Sequence, residues 1–439
     1  MKPLPIARPR IPDQDRLTRW LLVGSFLCYA FICIMSLTSD YAAGELLRQY
    51  AVLPVLAAMG CCFCRGDYFR RREYILGLLF ILWSLVCCWL RGEIDRTAAA
   101  QTEFLRGLVL CGVIFPFAHL TGDRDRKLLE KLLLPVLLVM AALYVLTYIA
   151  LLRGENIVLI PEWLTFGADY TVTGRMMLKL LNLYHTCAGY LAVICFYAAL
   201  YLAVVYRKTR MLPAWLLLLA IFGVGVLITY SRTAVFTLTG GILFAVYLYL
   251  QRHPMRPVLK VLTLILTAVA VVVLTALLMN RLYKAVNSIR DIWYGLGTFS
   301  NRTDIWAAGL KVIWEQPGVL LRGLPAERIM EEVNVFLPHL DPIQHMHSGY
   351  LQILLRMGLP GFGAVAALAV SFFRSGRILL TSPRAELEEK FLLCLPVACL
   401  VMGTMESIIF CCTIPTELMN LLMFLFCGYI LERAGQLSE

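Results

Sequence analysis

Three side chains in this sequence carry charge, or can take it up, where a largely apolar chain can least easily hold it. Arg232 stands in Thr229-Tyr230-Ser231-Arg232, between two apolar runs. Arg302 falls in Asn301-Arg302-Thr303-Asp304-Ile305-Trp306. His347 opens His347-Ser348-Gly349-Tyr350-Leu351-Gln352, where a polar stretch gives way to apolar residues. Guanidinium groups grip phosphate oxygens through paired N–H bonds, and an imidazole can exchange a proton near neutral pH. Gathered at one site, two arginines would neutralise a diphosphate while the histidine deprotonates an attacking hydroxyl. Taken singly, each has a plainer reading: an interfacial arginine reaching for water, a solvated loop charge, and a histidine at a span boundary. His345 and His347 could together hold a metal, but His-x-His is weak evidence for one, so the expected site has no metal and no cofactor.

What must position these residues is a membrane-embedded scaffold. Of the 439 residues, 60% are hydrophobic and only 16% charged, with a mean hydropathy of +0.75. A soluble domain of this size does not need so much apolar surface, so the chain is expected to be an all-α polytopic membrane protein. A crossing helix needs roughly 20 apolar residues. Twelve candidate spans begin near Trp20, Leu46, Tyr74, Phe104, Leu128, Leu180, Leu212, Thr233, Val258, His347, Phe391 and Leu418.

Charge predicts the orientation. With the N-terminus inside, 24 of the 40 basic residues fall in cytoplasmic segments, among them Arg70, Arg71, Arg72, Arg207, Lys208, Lys390 and Arg433. Only nine lie in the short outward segments, and the remaining seven belong to one long loop, where the positive-inside rule is weak. Both termini are thus expected in the cytoplasm. The net charge of +11 is chiefly this topology signal and suits an anionic inner leaflet; nothing resembles a nucleic-acid-binding stripe. The basic N-terminus runs into the first span with no evident cleavage site.

The long loop, 281–346, interrupts the apolar pattern between the ninth and tenth spans and is expected to face outward. Within it Ile305, Trp306, Leu310, Ile313 and Trp314 recur at helical spacing, predicting an amphipathic helix on the membrane surface or over a cavity, ended by Pro317-Gly318. Ala326 to Leu337 predicts a second short helix. The chain otherwise reads as one membrane domain, 1–439. Its fifteen cysteines fall mostly within spans or at their ends, as small packing residues do.

These positions resemble the O-antigen ligase and polysaccharide polymerase family of bacterial membrane proteins. Asn182-Leu183-Tyr184-His185 with Ala188-Gly189-Tyr190 looks like the family's Asn-Pro-Asn stretch, and Ser231-Arg232 like its Ser-Arg motif. Arg302 with Trp306 looks like its Arg-x-x-x-Trp segment. His347 to Gln352 and Gly358-Leu359-Pro360-Gly361 look like its closing His-Asn-x-x-Leu and Gly-Leu-Pro-Gly. The sequence departs from the pattern at Ser348, at Tyr184-His185 and at Arg322-Gly323-Leu324-Pro325, a weak copy of the glycine-rich turn. The resemblance implies a GT-C-like helical fold and metal-independent, inverting transfer of a glycan from an undecaprenyl diphosphate carrier to a glycan or lipid acceptor. It implies His347 as the catalytic residue, Arg232 and Arg302 as diphosphate ligands, and a bacterial cytoplasmic membrane location. Ligase and polymerase are not separated by these motifs. A transporter or flippase is the competing reading: twelve spans with both ends inside is also the layout of major-facilitator carriers, and Gly66 to Arg72 faintly echoes their loop. Those carriers show two similar halves and a long central cytoplasmic loop, which this sequence lacks.

Overall fold

The computed structural model describes residues 12–38, 50, 53–54, 56–58, 60, 72–92, 126–152, 185–229, 231–251, 255–283, 301–340, 343, 346–407 and 417–438. Among them the secondary structure is helical throughout. The elements are α1 (Pro12–Thr38), α2 (Arg72–Leu90), α3 (Arg126–Leu152), α4 (His185–Val205), α5 (Leu212–Ile228), α6 (Arg232–Gln251) and α7 (Pro257–Tyr283), followed by α8 (Arg302–Glu315), α9 (Val319–Arg322), α10 (Ala326–Val335), α11 (Gly349–Thr381), α12 (Leu387–Phe391), α13 (Cys394–Met405) and α14 (Glu417–Ser438). Among the described residues, five helices are long and apolar enough to cross a membrane: Leu128–Ile149, Cys187–Val205, Thr233–Gln251, Gly349–Thr381 and Leu418–Ser438. Shorter apolar helices run over Trp20–Met35, Ile75–Leu90, Leu212–Leu227 and Pro257–Val271. The candidate spans near Leu46 and Phe104 lie outside the described residues. The apolar run expected from Phe391 is α13, only 12 residues long; at about 1.5 Å per residue it is shorter than the hydrocarbon core, and it stops at Glu406.

α4 is the central helix. It is apolar on every side and buried along nearly its whole length from Ala188 to Ala203. Close packing around it depends on small residues, as expected where hydrophobic burial alone does not drive helices together. A Cβ on Gly241 of α6 would lie 2.2 Å from the ring of Tyr197, and one on Gly225 of α5 would lie 3.1 Å from Tyr144. The tyrosine hydroxyls then donate to backbone carbonyls, Tyr144 to Ala188 at 2.6 Å and Tyr197 to Leu238. At the other extreme, α7 exposes Val258, Leu259, Val261, Leu262, Ile265, Leu266 and Val269, an apolar surface suited to lipid.

α8, α9 and α10 form a separate small core built on Ile305, Val312, Val319, Ile329, Val333, Met346 and Leu355. The predicted stripe on α8 is split: Ile305 is buried, but Leu310 and Trp314 point outward, Trp314 being 85% exposed. The unit is fastened to α11 by a reciprocal clasp. α11 is broken at Gly358 (φ 64°, ψ −168°), two residues before Pro360, and Gly323 adopts nearly the same conformation (φ 67°, ψ −173°). A Cβ on Gly323 would lie 2.0 Å from the Arg356 oxygen, and one on Gly358 would lie 2.5 Å from the Leu320 oxygen, so only glycine fits either place. Proline lacks the N–H that continues a helix, and the kink leaves carbonyls in need of donors. They find them across the clasp: Leu324 N–H bonds the Leu355 oxygen at 2.7 Å, Arg91 Nη1 the Arg356 oxygen at 2.8 Å, and Trp83 Nε1 the Met357 oxygen at 2.8 Å. Arg91 also donates to the Leu324 oxygen at 3.0 Å, so one side chain from the end of α2 ties both halves together.

A second polar cluster closes the opposite end of α4 and α11. Tyr206 donates to Glu130 at 2.6 Å, Arg207 pairs with Glu388, and Arg433 pairs with Glu389 at 2.6 Å. The basic members of this cluster are among those assigned to the cytoplasmic side by charge.

The clasp yields a direct test. Gly323→Ala and Gly358→Ala are expected to lower the thermal unfolding temperature of the purified protein by several degrees, because each new Cβ meets fixed backbone at positive φ. Gly363→Ala, whose Cβ would meet nothing within 4 Å, should leave it unchanged or slightly raised.

Candidate active site

The site forms where α13 ends. Glu406 leaves the helix with extended dihedrals (φ −149°, ψ 149°) while its N–H still bonds the Met402 oxygen. Its own carbonyl accepts from Gly349 N–H at 3.0 Å, and the Ser407 hydroxyl accepts from Ser348 N–H at 3.3 Å. These two ties lay the start of α11 against the end of α13. Ser348 is the N-cap of α11, its hydroxyl accepting from Leu351 N–H.

His347, one residue earlier, sits in the left-handed region at φ 49°. Histidine visits this region more readily than most side chains, but strain of about 1–3 kcal/mol must be offset by its surroundings. Trp306 Nε1 donates to the His347 carbonyl at 3.4 Å, and Met346 N–H donates to Gln352 Oε1 at 3.3 Å. The Met346 side chain is fully buried in the space left by Gly309, where a Cβ would approach its Cε to 2.4 Å. Arg302 and Trp306 are four apart on α8 and share a face. Trp306 therefore holds the histidine backbone while Arg302 reaches the same carboxylate as the imidazole.

That carboxylate is Glu406. Arg302 Nη2 meets Oε1 at 2.5 Å, and His347 Nδ1 meets Oε2 at 3.1 Å. The side chains of Glu406 and Arg302 are 6% and 11% exposed, whereas that of His347 is 28% exposed; of the three, the imidazole has the most access to an approaching molecule. A carboxylate paired with a guanidinium is ionised and can only accept. His347 Nδ1 then donates to it, whether the ring is neutral or protonated. Chemically, this is an oriented imidazole beside a buried cation.

The structure thus joins Arg302 and His347 through a group the sequence analysis passed over. A signal was there: Glu406 is the sole charged residue between Lys390 and Glu417, and an ionisable group isolated in apolar sequence is a candidate for function. Arg232 is placed less completely. It is the first residue of α6, after Ser231, whose hydroxyl caps the helix by accepting from Ala234 N–H at 3.1 Å; its side chain lies outside the described residues, as do Tyr230 and His345. The capped turn is pressed onto α4, where a Cβ on Gly189 would lie 2.7 Å from Thr229 Oγ1 and 2.8 Å from the Ala234 Cβ. α6 packs along α13, with Gly240 against Val401; Thr233 in its first turn neighbours Tyr190, which also lies near Glu406, so the start of α6 and Glu406 share one end of the bundle.

These features define a polytopic, all-helical membrane protein with an arginine–carboxylate–histidine cluster at one end of the bundle. Residues 217–366 match the family model described as O-antigen ligase. No curated protein matches the chain, and no solved structure does. The matched segment contains Arg232, Arg302 and His347 but not Glu406.

Removing one member of a buried ion pair strands the other at a cost of about 3–5 kcal/mol. Glu406→Gln should destabilise the protein by roughly that amount in denaturant or thermal unfolding, and adding Arg302→Met should recover much of the loss. Independent, additive effects would contradict the pairing.

Proposed function

We propose that this protein transfers a glycan from an undecaprenyl diphosphate carrier to an acceptor hydroxyl at the outer face of the bacterial cytoplasmic membrane, without a metal or other cofactor. The acceptor is a lipid anchor or a second lipid-linked glycan, so the reaction is that of a ligase or a polymerase. The observation that carries this reading is one carboxylate, Glu406, shared by Arg302 and His347 at 2.5 and 3.1 Å, next to a segment matching the O-antigen ligase family.

In this mechanism His347 Nε2 takes the proton of the acceptor hydroxyl as its oxygen attacks the anomeric carbon. The bond from that carbon to the diphosphate oxygen breaks on the opposite side, giving inversion. The bonding pair leaves with undecaprenyl diphosphate, and Arg302 and Arg232 stabilise the growing negative charge. ATP is not available outside the cell, so the donor arrives already activated. Glu406 touches no reacting atom; it orients the base and holds Arg302 in place. The scaffold for this chemistry is a single membrane domain of GT-C-like type with twelve spans, both termini cytoplasmic, and the 281–346 segment facing outward.

Reconstitution with lipid-linked oligosaccharide tests the proposal. The wild type should release carrier diphosphate and form transferred or longer glycans on a gel. His347→Ala should lower turnover by at least about a hundredfold; Arg232→Ala and Arg302→Ala should also lose turnover while the protein still inserts. Product formation unaffected by all three would overturn the assignment, and movement of intact donor across the bilayer with no product would favour a flippase.

A further inference from the structure

Two buried hydrogen-bond donors near this cluster make no hydrogen bond. One is Arg302 Nε and the other is the hydroxyl of Tyr190, whose side chain is fully buried on α4. Native proteins pair more than nine in ten buried polar groups, and each unpaired one carries a substantial desolvation cost. Their location connects them. Tyr190 follows Gly189, the residue pressed against the capped turn before Arg232. It lies beside Thr233 and close enough to both Glu406 and Arg302 for their charges to act on it. Thr233 is a neighbour but is not in hydrogen-bonding geometry with the Tyr190 hydroxyl; its own hydroxyl meets Ser231 Oγ at 3.1 Å. Three other tyrosines of the same core, Tyr144, Tyr148 and Tyr197, each donate to a backbone carbonyl. Tyr190 departs from that pattern at the end of the bundle where the cluster sits.

Arg302 Nε can only donate, and a phenol donates readily. The atom that would satisfy both is an acceptor, and beside a guanidinium an anionic oxygen is favoured over a sugar hydroxyl. We infer that Tyr190 and Arg302 Nε together bind a phosphate oxygen of the lipid diphosphate, which makes Tyr190 a substrate-contacting residue. This rests on the reading given under Proposed function. Neither donor would gain from an uncharged prenyl alcohol, so the contribution is confined to the headgroup.

The protein in nanodiscs can be titrated with undecaprenyl diphosphate and, separately, with undecaprenol, comparing the wild type with Tyr190→Phe. The substitution keeps the ring and removes only the hydroxyl. Undecaprenyl diphosphate affinity should fall about tenfold, the scale of one hydrogen bond to a charged group, with undecaprenol unaffected. The unliganded variant should unfold at the same temperature as the wild type or higher, since an unpaired buried hydroxyl has been deleted; a hydroxyl serving structure would lower it. Unchanged diphosphate affinity in Tyr190→Phe, with the wild type still preferring diphosphate to alcohol, would overturn this assignment and leave the proposed function standing. A wild type that does not discriminate the two lipids would overturn both.

Discussion

A carboxylate buried in a membrane protein must be matched by charge and hydrogen bonds, and here that requirement determines the site. Glu406 has two oxygens, and each takes a donor from a different part of the chain: Arg302 from α8 and His347 from the entry to α11. The carboxylate therefore acts as a geometric constraint as well as a charge, bringing residues 45 to 104 positions apart in sequence to a single point. It also orients the imidazole, since an anion that only accepts requires Nδ1–H to face it.

The surrounding architecture can be understood as what keeps that constraint rigid. The unit containing α8 is docked on α11 through the Gly323–Gly358 clasp, whose carbonyls Arg91 and Trp83 satisfy from α2. The backbone of His347 is held from three sides, by Trp306, by the Ser348–Ser407 contact and by Met346 wedged over Gly309. Positive φ at His347 is tolerable because these contacts over-determine it. At the far end of the bundle, ion pairs tie the segment after α4, and α14, to α12, which leads into α13.

Much of this was legible in the sequence, and what was not has physical reasons. Apolar length marks helices well, so most described helices begin within a few residues of where hydropathy places them, and the positions of α8 and α10 follow from periodicity and from Pro317-Gly318. Arg302 and His347 stood out because charge near apolar sequence is costly. Glu406 did not, because a lone acid lacks a spacing partner; its role depends on contacts 59 and 104 residues away. The two Gly-Leu-Pro segments were visible, but as a motif and its weak copy. That they face each other and lock is a property of the kink in α11, which no local pattern encodes. Likewise Leu310 and Trp314 share helical spacing with Ile305 yet face outward, because the small core beneath α8 is too narrow to cover the whole stripe.

The most direct measurement is a cryo-electron microscopy map of the protein in a lipid nanodisc with undecaprenyl diphosphate bound. The account predicts the diphosphate density against Arg302 and His347, with Glu406 within hydrogen-bonding distance of both and the prenyl chain running into the bilayer. Diphosphate bound elsewhere, or Glu406 separated from either partner, would contradict it.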